Sequence, residues 1–224
     1  MENKEININF IVIGDEKVGK TQIMNRYING EFNNHYQATS IDIFTKKKKL
    51  DNDKIIFNLK FYDTGGKEVF KSIRQNYYKG IACAIIVYDI TNKSSLDSVD
   101  KWIEECNSYS NNENLIKVLI GNQTDRSNER KVTEEQGKTF AKTYDMDFYE
   151  VSASNEYNIK EIFENLLNKI YNLIKENKKI IGISKRECEN NIIIDNEDLS
   201  ALQIHNENNE NNENNRDNGK SCYC

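Results

Sequence analysis

The segment GDEKVGKT, residues 14–21, carries the spacing G-x-x-x-x-G-K-T. Its two glycines let successive backbone N–H groups curl around an oxyanion, and a helix opening at the lysine adds its positive dipole end to the pull. At this spacing Lys20 reaches the outer phosphates of a nucleotide and the Thr21 hydroxyl can ligate a divalent cation. Gly14, Asp15, Glu16, Lys17, Val18, Gly19, Lys20 and Thr21 are therefore candidate phosphate-binding residues. Three further sets follow other apolar runs: DTGGK at 63–67, GNQTD at 121–125 and SAS at 152–154. Asp125 has the chemistry to accept from guanine N1–H and the exocyclic amine together. Adenine lacks that donor pair and would leave a buried carboxylate unmatched, a mismatch that can cost a factor of roughly 10⁴.

These residues need strands that end at one place. ININFIVIG (6–14) is a β-branched apolar run closing on glycine and reads as a buried strand. IDIFTKKKKL (41–50) and KIIFNLKFYD (54–63) flank the turn-like DND at 51–53 and read as an antiparallel hairpin. IACAIIVYD (81–89), LIKVLIGN (115–122) and FYEVS (148–152) read as strands, the first two covered on both faces. Helical patterns alternate with them. QIMNRYING opens directly after the phosphate loop, and SSLDSVDKWIEECNSYS (94–110) reads as one helix with serine at its entry. Thr133 with Gln136 forms a capping box, and Asn158 with Glu161 gives a cap-like start to a last helix whose apolar face runs from Ile159 to Ile174. The order predicts an α/β fold: a six-stranded, mostly parallel sheet with one antiparallel strand and helices on both faces.

The four sets, with Thr39 between the first and the second, stand in this order on these strand ends and resemble the Ras superfamily of small GTP-binding proteins over about residues 6–175. YYKG (77–80), VYDIT (87–91) and the terminal CYC are similar to features of its Rab branch. Glu2 stands where Arf-type attachment needs glycine, and no Rho-type insert is visible. The resemblance implies a P-loop small G-protein fold, bound GTP or GDP with Mg²⁺, and a monomer. It implies a metal set of Thr21, Thr39 and Asp63, and nucleotide contacts from Asp63, Thr64, Gly65, Gly66 and Lys67. Asn122 ties the base loop to the phosphate loop, Gln123 covers the base, Asp125 reads guanine, and the Ala153 N–H, between Ser152 and Ser154, reaches O6. Tyr36, Gln37, Ala38, Thr39, Ser40, Ile41, Asp42, Ile43 and Phe44 form the effector region. Expected partners are an exchange factor, an activating protein, a prenylation escort, a GDP-dissociation inhibitor and effectors.

Four positions depart from that pattern. Gln123 replaces a lysine, which predicts guanine specificity kept with lower affinity. Gly65 replaces an alanine and loosens its loop. Ile41 replaces the family glycine after Thr39, or the register slips by one. Lys67 stands where the family places its catalytic glutamine, with Gly66 and Thr39 as the other residues around the γ-phosphate. The glutamine accepts from the attacking water and donates to the phosphate, whereas an ammonium has three donors and no acceptor. Slow intrinsic hydrolysis follows. The alternatives are a GTP-locked module that recruits effectors without hydrolysis, and a P-loop kinase or ATPase, which Asp125 disfavours.

Composition limits the rest. The 224 residues carry a formal charge of −5, which argues against a nucleic-acid partner. No run approaches the ~20 apolar residues of a membrane span, and MENKEININF does not resemble a secretory signal. Five cysteines fit neither a disulfide framework nor a metal site; Cys83, within an apolar run, reads as buried. Lys46 to Lys49 read as a strand's exposed edge. Residues 1–178 are expected to fold as the GTP-binding domain. Residues 179–224, rich in Asn and Glu, are expected to be a disordered tail in which IIGIS and NIIID make only transient contacts. The tail ends in Cys222 and Cys224, which resemble a doubly prenylated ending. That implies a lipid-anchored protein on the cytoplasmic side of an endomembrane or the plasma membrane, with a cytosolic pool when extracted.

Overall fold

A computed structural model of the chain describes residues 4–33, 40–49, 55–176 and 183–186. All lie in Met1–Glu187, the first of the two units into which the chain divides. Strand β1 (Lys4–Ile13) sits centrally and alternates as a two-sided strand must. Ile6, Ile8, Phe10 and Val12 enter one apolar cluster, and Ile11 and Ile13 enter the other. Its neighbours are β3 (Ile55–Thr64) and β4 (Cys83–Asp89), both parallel to it. β5 (Ile116–Asn122) and β6 (Asp147–Glu150) continue the parallel order beyond β4, and β2 (Ile41–Lys49) closes the other edge antiparallel to β3. The path β2-β3-β1-β4-β5-β6 is the expected doubly wound sheet. The DND turn of the hairpin lies outside the described residues.

Helices cover both faces. On one, α1 (Lys20–Asn29) brings Ile23, Met24 and Tyr27 against Phe163, Leu166 and Leu167 of α6 (Ile159–Lys175). The Tyr27 ring stacks on Phe163 with centroids 3.7 Å apart, and Phe10 stacks on Phe61 at 4.6 Å. On the other face lie α2 (Lys71–Gln75), α3 (Lys93–Asp97), α4 (Val99–Tyr109) and α5 (Glu134–Thr143). α4 delivers Val99, Trp102, Ile103 and Cys106 to the second cluster. Cys83 is buried, as its apolar surroundings predict.

The structure corrects three local expectations. Residues 94–110 form two helices parted at Ser98, because Ser95 and Ser98 hydroxyls bond back to the carbonyls of Asn92 and Ser94 and loosen the turn. The Asn92 side chain, rather than a serine, accepts the entering Ser94 N–H. Asn158 does not cap α6: at φ 58° its amide turns away and donates to the Glu150 carbonyl. The capping box of Thr133 and Gln136 forms as read.

The IIGIS island also departs from expectation. Ile183–Arg186 is a seventh strand, β7, antiparallel to Glu5–Ile8 of β1. The cause lies in β1 itself. β4 pairs with Phe10–Ile13, so among the described residues β7 is the one neighbour of the Glu5–Ile8 backbone on that side. Ladder bonds to that half-edge, with burial of Ile183 in the first cluster, outweigh the shortness of the segment. Residues 187–224, including NIIID, Cys188 and the cysteine ending, lie outside the described residues.

Candidate nucleotide site

Because five strands run parallel, the ends of β1, β3, β4, β5 and β6 open toward one end of the sheet, and the four sets meet there around a cavity of about 800 Å³. That volume suits a nucleotide-sized ligand. Its lining includes Lys20, Thr21, Gly66 and Lys67 at one part and Asn122, Gln123, Asp125 and Ala153 at another.

The phosphate loop is backbone-dictated. Gly14 lies at φ 139°, and a Cβ there would stand 2.2 Å from the Val87 carbonyl oxygen. Gly19 lies at φ 93° at the head of α1, and its missing Cβ would meet the Asn122 amide at 2.3 Å. Lys17 adopts φ 66°, the left-handed region that disfavours a side chain. The buried Lys20 ammonium donates to the Gly14 and Asp15 carbonyls at 2.8 and 2.7 Å. Burial lowers its pKa to about 8 against the pull of Asp63 and Asp15.

Thr21 Oγ1 donates to Asp63 Oδ2, while the buried Asp63 Oδ1 has no hydrogen-bond partner among the described residues. Burial pushes the Asp63 carboxyl up to about 6, opposed by Thr21 and Lys20. A hydroxyl beside a carboxylate with an unused oxygen fits a hard divalent cation such as Mg²⁺. Thr39, the third residue of the expected set, lies outside the described residues with Tyr36, Gln37 and Ala38.

Past Asp63, the Thr64 hydroxyl donates to the Val12 carbonyl and the Gly65 N–H to the Ser40 carbonyl, joining the start of β2 to the DTGG segment. Gly66 lies flat on the phosphate loop; a Cβ there would be 2.4 Å from Asp15 C and Glu16 N. Lys67 reaches Glu16, Nζ to Oε1 3.6 Å. Of the effector residues, Ile41 to Phe44 belong to β2, and Ile43 is half exposed.

At the base end, Asn122 Nδ2 donates to the Val18 carbonyl at 2.9 Å, the tie between base loop and phosphate loop expected from sequence. The Ala153 N–H in turn donates to Asn122 Oδ1. Ser152 Oγ donates to one oxygen of Asp125 and receives the Asn155 N–H, so the carboxylate is held from behind. Gln123, at φ 71°, donates to Asp89 at 2.8 Å and accepts from Arg126. The Ser154 carbonyl, with that of Ala153, accepts from Arg26.

Sequence reading misses one layer. The buried Arg74 guanidinium makes a two-pronged pair with Glu105, at 2.6 and 3.0 Å, and donates to the Gly65 carbonyl at 2.8 Å. It lies over the Trp102 ring, whose Nε1–H donates to Asp15 at 2.9 Å. A connected set of α4 and α2 side chains thus holds both the phosphate loop and the DTGG segment. Only the lone tryptophan, at helical spacing from Cys106, hinted at it.

The Ras family model matches residues 9–172. The chain belongs to the Ras family. Among its relatives are Ras-related protein Rab-11C of Dictyostelium discoideum, 35% identical over 80% of both chains, and Ras-related protein Rab-7b of Paramecium octaurelia, 37% identical over 70% of this chain and 77% of the other. Ras-related protein Rab-15 of Rattus norvegicus is 33% identical over 98% of each. The chain is thus a Rab-like small GTPase, and the family implies a guanine nucleotide in its cavity.

Proposed function

We propose that this Rab-like GTPase is a GTP/GDP switch in intracellular vesicle traffic, held to the cytoplasmic face of a membrane by two prenyl groups, with slow hydrolysis of its own. The observation that carries the switch is the convergence of the Asn122–Asp125 loop and the Lys20–Thr21–Asp63 cluster on one cavity, bridged by the Asn122 bond to Val18. Asp125, fixed by Ser152, presents its carboxylate to the guanine edge. Lys20 holds the outer phosphates. Thr21 and Asp63, with Thr39, would hold Mg²⁺, which neutralises charge building on the phosphates when bound. Gly66 gives its N–H to the γ-phosphate because no Cβ keeps it away.

Slow turnover rests on Lys67. An ammonium attracts the γ-phosphate in the ground state but cannot orient the attacking water, and uniform attraction does not raise the rate. An activating protein that brings its own catalytic groups would then control turnover. A GTP-locked recruiter is the second reading, favoured by the same residue. Two measurements decide: the nucleotide released from purified protein, expected to be GDP or GTP, and single-turnover GTP hydrolysis with and without Lys67→Gln. The substitution should raise the rate tenfold or more, about 1.4 kcal/mol of barrier. An unaltered protein as fast as the variant rejects the slow-hydrolysis reading, and bound ATP rejects the GTPase.

A further inference from the structure

The phosphate loop contains two carboxylates where an anion must bind. Each is turned to a partner. Asp15 accepts from the Trp102 indole, and Glu16 meets the Lys67 ammonium at 3.6 Å. The Lys67–Glu16 pair is part-exposed and spans the phosphate loop and the segment after β3. Gly66, next to Lys67, touches the Glu16 backbone and lies where the reading above places the γ-phosphate. Glu16 and Lys67 both line the same part of the cavity. A third phosphate brought there would be repelled by Glu16 and attracted by Lys67, whereas a diphosphate lacks the group that would come between them.

We propose that Glu16 and Lys67 form a charge clasp that sets this protein's preference between guanosine di- and triphosphate. With the diphosphate, Glu16 keeps Lys67. With the triphosphate, the γ-phosphate takes Lys67 and leaves Glu16 facing a like charge. The clasp therefore biases the protein toward the diphosphate, and it makes Lys67 a specificity residue beyond any effect on water. This inference rests on the GTP/GDP reading. Each residue alone has a plain effect. Without Glu16 the triphosphate gains an undivided lysine and loses a repulsion. Without Lys67 the triphosphate loses an attraction while the diphosphate loses only the pair.

The test is a double-substitution cycle on the full chain with fluorescent GDP and a non-hydrolysable fluorescent GTP analogue, in Mg²⁺ at low salt. The quantity read is the ratio of triphosphate to diphosphate affinity. Glu16→Gln should raise that ratio about five- to tenfold, since it removes both competition and repulsion. Lys67→Met, which keeps the stem and removes the charge, should change the ratio by an amount that fails to add to the first. The shortfall from additivity in the double variant equals the clasp, about three- to fivefold, the scale of a part-exposed ion pair. It should shrink toward one at 0.5 M salt, because these charges are screened. Additive effects within 1.5-fold, or non-additivity indifferent to salt, would overturn the clasp while leaving the GTPase reading intact. Unaltered protein that binds neither nucleotide would overturn the GTPase reading and the clasp with it.

Discussion

Arg74 and Glu105 meet as a buried, two-pronged ion pair, with the Tyr78 hydroxyl donating to the same Glu105 oxygen that Arg74 Nε reaches. A pair so enclosed is costly to break and cheap to replace. Arg74→Met leaves the Glu105 carboxylate uncompensated and should destabilise the fold by about 3–5 kcal/mol. Adding Glu105→Leu to Arg74→Met should recover part of that loss. Urea unfolding of the three proteins checks both statements; a double variant less stable than Arg74→Met would contradict the account.

Asp125→Asn should move base preference from guanine toward xanthine. The amide that replaces one carboxylate oxygen donates where the carboxylate accepts, and a 2-oxo group suits it. Ser152 would still hold the remaining oxygen. Competition binding with GTP and XTP reads the shift, and equal affinities before and after would reject Asp125 as the base reader.

Gly66→Ala should trap the DTGG segment away from the phosphate loop. Its Cβ would fall 2.4 Å from backbone atoms of Asp15 and Glu16, which no side-chain rotation relieves. GDP affinity should hold within about threefold, while triphosphate-dependent ordering and turnover drop tenfold or more, about 1.4 kcal/mol. Nucleotide titrations with single-turnover assays separate the two effects.

The thiols of Cys83 and Cys106 should be silent in the native protein. Burial pushes Cys106 up to about 12 and Cys83 upward as well. Iodoacetamide at pH 8 should therefore label them only as the protein unfolds, with peptide mapping as the readout. The folded state holds the proton more tightly, so this contribution to stability is complete below the ordinary thiol value of 9.0 and is lost as pH climbs toward about 12.

Cys222→Ser with Cys224→Ser should shift the protein from membranes to the soluble fraction of its native cells. One lipid chain gives marginal binding and two give stable anchoring. The Asn- and Glu-rich segment before them offers little basic attraction to acidic lipid. Intact mass should show two prenyl additions, and a double variant that still pellets would place the anchor elsewhere.

Much of this molecule is written in local patterns. The phosphate loop was legible because its glycines answer to backbone demands that recur wherever a loop wraps an oxyanion, and the strands were legible from period and β-branching. Asn122 and Asp125 were legible because a polar cluster after an apolar run is conspicuous. Arg74 was not: an arginine in IRQNYY looks like any solvated charge, and only the tertiary approach of Glu105, Tyr78 and Trp102 buries it. The break at Ser98 and the turned amide of Asn158 depend on side chains choosing between a helix and a nearer carbonyl. β7 was hidden for another reason. Its four residues carry little signal alone, and what holds them is a half-empty edge on a strand far back in the chain.

That strand also gives the molecule a polarity. β7 runs from Ile183 beside Ile8 to Arg186 beside Glu5, so the polypeptide departs from the end of the sheet opposite Asp63 and Asn122. The exit at Arg186 and the nucleotide loops therefore lie at opposite ends of β1. Undoing the short β7 ladder would move that exit point back by the length of the strand, about 13 Å, without disturbing the ends of β1, β3 and β5 that hold the site.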